Sequence, residues 1–242
     1  MTQITSPHNP RLKELRKLNR SRERSRSGLF VAEGEDLVRA AQRAGWPAVE
    51  GFRASGVDVG EPGFHEVDSE TLASVSTLGS GTRAIGVYQQ RWDTPRGPLC
   101  VYLHGVRDPG NVGAILRGAL AFGASCVALG PGCADPHSPK AVRASMGAIF
   151  AVALARVSDP AKLPRERVAL VARAGVSIRE LAGSRPMTLL VGAEREGLPD
   201  ALVAACERVA HIPIASESLN AAMAATVALY ETTRGSTRVP AS

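Results

Sequence analysis

From Leu99 to the end of the chain, short apolar runs alternate with helix-like stretches, and no other feature restricts the fold as much. Residues 99–106 (LCVYLHGV), 125–130 (SCVALG), 168–174 (VALVARA), 188–194 (TLLVGAE) and 210–214 (AHIPI) read as strands. Helical stretches lie at 109–122, 138–146, 199–206 and 219–233. Strands this continuously apolar need cover on both faces, and helices that alternate with them in the chain provide it. The pattern predicts an α/β domain built on a parallel sheet.

Residues 1–93 read differently, as a small α/β unit. Helices are expected at 10–19, at 35–44, where Gly45 stops the helix, and at 69–75, with Ser69 as its cap; strands are expected at 28–32, 46–53 and 84–89. The breaker-rich DTPRGP at 93–98 is the candidate linker, which divides the chain into 1–93 and 94–242. Residues 235–242 (GSTRVPAS) are expected to fray. Aromatic residues make up only 4% of the chain against 44% hydrophobic, so the core must be mainly aliphatic. No apolar run is long enough for a membrane span, and the N-terminus lacks the apolar centre of a signal peptide, so a cytoplasmic protein is expected.

Charge is concentrated near the start. Arg11, Lys13, Arg16, Lys17, Arg20, Arg22, Arg24 and Arg26 face only Glu14 and Glu23, so this one segment carries as much excess as the whole chain, +6. Such a cluster suits a polyanion such as nucleic acid; it also suits a solvated, partly disordered arm. Cys100, Cys126, Cys133 and Cys206 include no C-x-x-C pair, and the five histidines form no ligand motif, so no metal is expected.

In a parallel sheet, ligands sit beyond the carboxyl ends of the strands. Three strand-to-helix junctions therefore matter. The first is DPGNVGAILR (108–117), with Asn111 at the helix entrance and Arg117 about two turns in, off the face of Asn111. The second is LVGAEREGLP (190–199), where two glycines flank Glu194 and permit positive φ or close backbone approach. The third is IPIASESLNAAMAA (212–225), where Ser218 is a good N-cap and alanines allow tight packing. Each has a plain structural reading as well: turn chemistry, surface charge and an ordinary capped helix. Gly79-Ser80-Gly81-Thr82-Arg83-Ala84 fits G-x-G-x-x-A, but a strand follows it instead of a helix, so no dinucleotide site is expected there. No P-loop and no G-x-S-x-G elbow is present.

Together the three junctions resemble, in order, the three motifs of the SpoU family of RNA ribose 2′-O-methyltransferases, within the SPOUT superfamily, and KAVRASMGAIF between the first two matches as well. The resemblance covers roughly residues 99–234. The N-terminal part, with SPHNPRLKELRKL and LFVAEGEDLV, is more loosely similar to the ribosomal-protein-like substrate-binding domain of many members. It implies a SPOUT domain with a C-terminal trefoil knot, a homodimer built through the knotted region, and S-adenosylmethionine as cofactor. Carried over, the cofactor pocket would use Leu190, Val191, Gly192, Ala193 and Gly197, then Ile212, Pro213 and Ile214, then Ser218, Leu219 and Met223. Arg117 matches the catalytic arginine, and Asn111, Glu194 and Asn220 match the remaining polar positions. A guanidinium is a poor base, so the preferred role for Arg117 is to grip phosphate and stabilise the developing alkoxide; the family proposal that it takes the proton stays open. The third motif departs from the family's Ser-Leu-Asn-Val-Ser, with Ala221-Ala222 after Asn220.

The resemblance implies methyl transfer to structured RNA, with 23S rRNA favoured over tRNA because of the ribosomal-protein-like front domain. The basic residues between 11 and 26 would then contact RNA. The alternatives are a tRNA methyltransferase, or a non-catalytic RNA-binding protein on the same fold.

Overall fold

Leu12, Leu15 and Leu18 recur at helical spacing and are all buried, which folds the start of the chain into α1 (Pro10–Lys17), capped by Asn9 with Pro10 in its first turn. This computed structural model describes residues 3–77, 81–164, 166–183 and 186–234. The tail at 235–242, and Gly79 and Ser80 of the rejected glycine motif, lie outside the described residues.

Next comes α2 (Ser21–Ser27), a helix that periodicity does not predict, since SRERSRS has no apolar residue. Gly28 ends it in the left-handed region, φ 69°. Its anchor is Arg24, only 3% exposed. The Arg24 guanidinium meets Asp135 Oδ2 through Nε at 2.8 Å and Nη2 at 2.7 Å, and Nη1 donates to the Leu18 carbonyl at 2.8 Å. Arg24 therefore corrects the expectation for the basic segment: it is a structural cation, with no donor left facing solvent for RNA. The segment is two helices, not a disordered arm.

The chain continues through β1 (Leu29–Glu33), α3 (Glu35–Arg43), β2 (Glu50–Ala54), β3 (His65–Val67), α4 (Ser69–Ala73) and β4 (Ala84–Gln89). The cap of α4 is Asp68, whose carboxylate accepts from Thr71 N–H at 3.0 Å; Ser69, expected to cap it, is its first residue. The sheet order is β1-β4-β2-β3, with β2 and β3 parallel and the other pairs antiparallel.

Then follow β5 (Leu99–Leu103), α5 (Pro109–Ala121), β6 (Cys126–Leu129), α6 (Pro139–Ala144), β7 (Ala153–Arg156), β8 (Arg167–Val171), β9 (Val176–Ser177), β10 (Met187–Val191), α7 (Asp200–Ala204), β11 (Arg208–His211) and α8 (Ala221–Thr233). Among the described residues, seven of these strands form one wholly parallel sheet in the order β7-β6-β5-β10-β8-β11-β9. Both faces are covered, as the apolar runs require: every residue of β5, β6 and β10 is buried.

The chain divides into two compact units, residues 1–91 with 135–151, and residues 92–134 with 152–242. The segment 135–151 thus packs with the first unit, although sequence places it within 94–242. Aromatic packing explains this: His137 and Phe150 lie against Phe30, with ring centroids 4.7 and 5.9 Å away, and Trp46 and Tyr88 close around Phe150 at 5.2 and 5.0 Å. Four of the chain's ten Phe, Trp and Tyr residues meet in that one cluster.

Candidate active site

The sheet order reverses at β5. From β5 the chain steps outward to β6 and β7, whereas β10 lies on the other side of β5. The carboxyl ends of β5 and β10 therefore flank a switch point, where helices diverge and leave a crevice. His104 N–H donates to Val191 O at 2.9 Å, tying the two strand ends together.

Beyond β5, Asp108 caps α5, its Oδ1 accepting from Gly110 N–H at 2.6 Å, with Pro109 at the first helical position. This places Asn111 in the first turn, at the crevice. Beyond β10, residues 192–197 fold back on themselves: Gly197 N–H donates to Ala193 O at 2.9 Å. The two glycines serve different needs. Gly197 has φ 67°, whereas a Cβ on Gly192 would lie 2.2 Å from the Gly197 carbonyl carbon. The turn delivers Glu194. Beyond β11, the segment 212–219 leads to Asn220, which caps α8 by accepting from Ala222 N–H at 2.9 Å and Met223 N–H at 3.3 Å. Ser218, expected in that role, is exposed and its side chain is not the cap.

These three residues meet. Asn220 Nδ2 donates to Asn111 Oδ1 at 3.1 Å, and Asn111 Nδ2 donates to a Glu194 carboxylate oxygen. The polarity of this chain follows from the helix. Asn220 must turn its oxygen to the α8 N–H groups, so its nitrogen faces Asn111; Asn111 must then offer its oxygen to Asn220 and its nitrogen to Glu194. An α-helix terminus thus fixes the orientation of two amides and one carboxylate drawn from three separate strand ends. A second, exposed tie between the same loops is the Arg107–Glu196 ion pair at 3.4 Å.

Arg117 does not join them. It projects from α5 as an exposed residue with no hydrogen-bond or ion-pair partner among the described residues.

Beside the polar chain lies a cavity of about 410 Å³, within the size range of small-molecule sites. Of the residues expected to hold a cofactor, Val191, Gly192, Ala193, Gly197, Ile212, Ile214, Ser218 and Leu219 line it, together with Glu194. Leu190 does not, being fully buried in the sheet. Pro213 and Met223 do not line it either; both are exposed, Met223 to 59%. Sequence reading missed the wall made by Leu170, Val171, Ala172 and Ala174, and also missed Asp200. The wall comes from β8, which precedes β10 in the chain but sits between β10 and β11 in the sheet. The walls are mainly aliphatic, and the charged groups lining the cavity are the carboxylates of Glu194 and Asp200.

The alanines of α8 serve helix packing as much as the cavity. Ala221 and Ala224 line it, while α8 packs along α5 so closely that a Cβ on Gly118 would sit 3.1 Å from Thr226 Oγ1. Among the described residues no helix is long and apolar enough to cross a membrane.

Comparison with known proteins gives the same picture. A family model described as the SpoU rRNA Methylase family matches residues 98–230, and one described as the MRM3-like substrate binding domain matches residues 9–79. An uncharacterised tRNA/rRNA methyltransferase of Synechocystis sp. is 30% identical, over 96% of this chain and 93% of its own. The 23S rRNA (guanosine(2553)-2′-O)-methyltransferase RlmP of Bacillus subtilis is 29% identical, over 95% and 98%. The AdoMet-bound rRNA methyltransferase from Sinorhizobium meliloti superposes with a TM-score of 0.84 at 32% identity, covering 96% of this chain and 97% of that one.

Proposed function

The chain belongs to the SpoU rRNA methylase family, and from that premise we propose that it transfers the methyl group of S-adenosylmethionine to a ribose 2′-hydroxyl of 23S rRNA. The observation that carries this reading is the Glu194–Asn111–Asn220 chain at the edge of the 410 Å³ cavity. It unites Asn111 with two residues 83 and 109 positions further along the chain, which few purposes other than a site would require.

The cavity residues fit the cofactor. Aliphatic walls suit an adenine ring, the backbone at Gly197 is left open because nothing lies where its side chain would be, and the two carboxylates suit a cation. When bound, S-adenosylmethionine supplies a methyl group already activated on a sulphonium centre, so the protein's task is alignment and deprotonation of the acceptor. The hydrogen-bonded amides hold the loops after β5, β10 and β11 in fixed relation. Arg117, free of internal partners, grips the target phosphate and stabilises the alkoxide that forms as the hydroxyl loses its proton. In this reading the segment 212–220 and α8 carry the trefoil knot.

The exposed apolar groups on α5 and α8, Leu120 at 47%, Tyr230 at 52% and Met223 at 59%, support pairing with a second copy through these helices. In the first unit, Lys13, Arg20 and Arg22 are exposed and form no ion pair at contact distance among the described residues, though Arg22 feels the nearby Glu23, whereas Arg11, Lys17 and Arg26 pair with Glu50, Glu14 and Glu23. Those three cations, none in a contact ion pair, are the strongest candidates for RNA phosphates, with Arg11, Arg16, Lys17 and Arg26 secondary. Acting on ribosomal RNA, the enzyme works in the cytoplasm.

The test is transfer of a labelled methyl group to unmodified total RNA, followed by separation of rRNA from tRNA and identification of the labelled nucleotide. Label as a 2′-O-methylated nucleotide of 23S rRNA is expected. Label confined to tRNA would replace the substrate, and no label with cofactor bound would leave an RNA-binding protein.

A further inference from the structure

We propose that Asp200 makes the cavity prefer the cationic methyl donor to its neutral product; the inference rests on the cofactor reading above. Asp200 is the first residue of α7 and lines the cavity, yet its carboxylate has no hydrogen-bond or ion-pair partner among the described residues. Glu194, the other lining carboxylate, is engaged by Asn111. Among the described residues no Lys, Arg or His lines the cavity. Two exposed carboxylates, neither paired with a cation among the described residues, thus stand at a space whose other walls are Leu, Val, Ile, Ala and Gly with a single Ser. Water screens these exposed groups on their outer side, but the apolar walls screen less, so part of their field reaches the cavity.

Donor and product share the adenine, the ribose and the amino-acid group. They differ at sulphur. In the transfer the C–S bond breaks with its electrons left on sulphur, a C–O bond forms, and the acceptor hydroxyl gives up its proton. The sulphonium becomes a neutral thioether. Contacts to the shared parts hold both molecules alike, so they are told apart at the sulphur, by its charge and by the methyl it carries. A free carboxylate in an otherwise cation-free cavity supplies that field, favouring the donor and loosening the product once the methyl has left.

Isothermal titration of the full-length protein with S-adenosylmethionine, S-adenosylhomocysteine and sinefungin tests this, because sinefungin carries an amine in place of the methylsulphonium. The wild type should bind the two cationic ligands more tightly than S-adenosylhomocysteine. In Asp200→Asn the Kd values of the two cations should rise by about three- to tenfold, while that of S-adenosylhomocysteine stays unchanged. Asp200→Glu should keep the preference. So should Glu217→Gln, which removes an exposed carboxylate that does not line the cavity. Equal weakening of all three ligands in Asp200→Asn would overturn the proposal and assign the carboxylate to a shared part such as the ribose hydroxyls. An unchanged ratio with unchanged affinities would remove Asp200 from recognition. Failure of the wild type to bind any of the three would instead overturn the cofactor reading itself, an outcome distinct from loss of preference with binding intact.

Discussion

Helices α2 and α5 each hold one polar side chain locked in the fold and another left open to solvent. In α2, Arg24 is buried against Asp135 while Arg22, two residues earlier, is exposed. In α5, Asn111 is hydrogen-bonded on both sides while Arg117, six residues on, has no partner among the described residues. The locked member of each pair sets geometry. The open member keeps its full hydrogen-bonding capacity for something outside the chain. Residue type does not separate the two classes, since Arg24 and Arg22 sit in the same basic run. What separates them is whether a partner from elsewhere in the fold reaches the side chain.

If that distinction is right, removing an open residue should harm function and spare stability, and removing a locked one should cost stability, with function lost as well only where the locked residue belongs to the site. Arg117→Ala is the sharpest case. Transfer should fall by about 10²–10³-fold or more, the range for losing one donor that stabilises a developing oxyanion, with cofactor Kd and melting temperature nearly unchanged. Single-turnover transfer beside titration of S-adenosylmethionine separates the two; retained turnover would exclude Arg117 from the chemistry.

Arg24→Met should cost about 2–4 kcal/mol in denaturant unfolding, because it strands a partly buried Asp135 without its cation. Asp135→Asn in the same background should recover part of that loss. The open members of the same segment should behave in the opposite way. Neutralising Lys13, Arg20 and Arg22 together should leave stability within about 0.5 kcal/mol and should flatten the dependence of log K for RNA on log salt by about 2 to 3. A flattened slope in Arg24→Met, with the triple variant unchanged, would reverse the assignment.

The sequence shows the open and locked candidates without sorting them. Alternation of apolar runs locates five of the seven strands described after Leu99, because a strand buried on both faces must be apolar throughout; it misses the edge strand β7, whose ends are only partly buried or exposed. It is silent on α2, whose stability comes from Arg24 and Gly28 and not from an apolar stripe, and on β3 and β9, which are too short to show a period. Asn111, Glu194 and Asn220 are legible through motif resemblance, but their hydrogen-bonded chain depends on the strand order at the switch point. The same holds for the cavity wall from β8: Leu170 to Ala172 reach the site because β8 lies between β10 and β11. Ser218 and Asn220 are both good caps by type. The choice falls on Asn220 because an amide can accept from the helix and donate to Asn111 at once, which a hydroxyl at 218 is not placed to do.

That choice is measurable. Asn220→Ala should destabilise by about 1–2 kcal/mol through the lost cap, and should lower transfer as well, since the amide of Asn111 loses the partner that orients it. Ser218→Ala should stay within about 0.5 kcal/mol. Equal losses from the two variants would return the cap to Ser218.

The smallest effect belongs to a locked pair at the surface. Arg167, at the start of β8, grips Glu207, just before β11: Nη2 and Nε reach the two carboxylate oxygens at 2.8 and 3.1 Å, and the Arg167 N–H adds a third bond at 2.8 Å. The guanidinium and that N–H hold the Glu207 carboxyl at about 2, well below its ordinary 4.5. A depressed carboxylate stabilises the fold fully above its unfolded pKa, and the contribution fades as pH falls from about 4.5 toward 2. Because the pair is partly exposed, water and salt screen it, so Glu207→Gln should cost only about 0.5–1 kcal/mol at neutral pH. The wild type and the variant should converge in urea midpoints measured down to pH 2.5, provided both still fold there. A constant gap across that range would mean that Glu207 acts through packing and not through charge. A locked contact would then owe its strength to the geometry of its partners more than to their ionisation, as the uncharged Asn111–Asn220 bond already does.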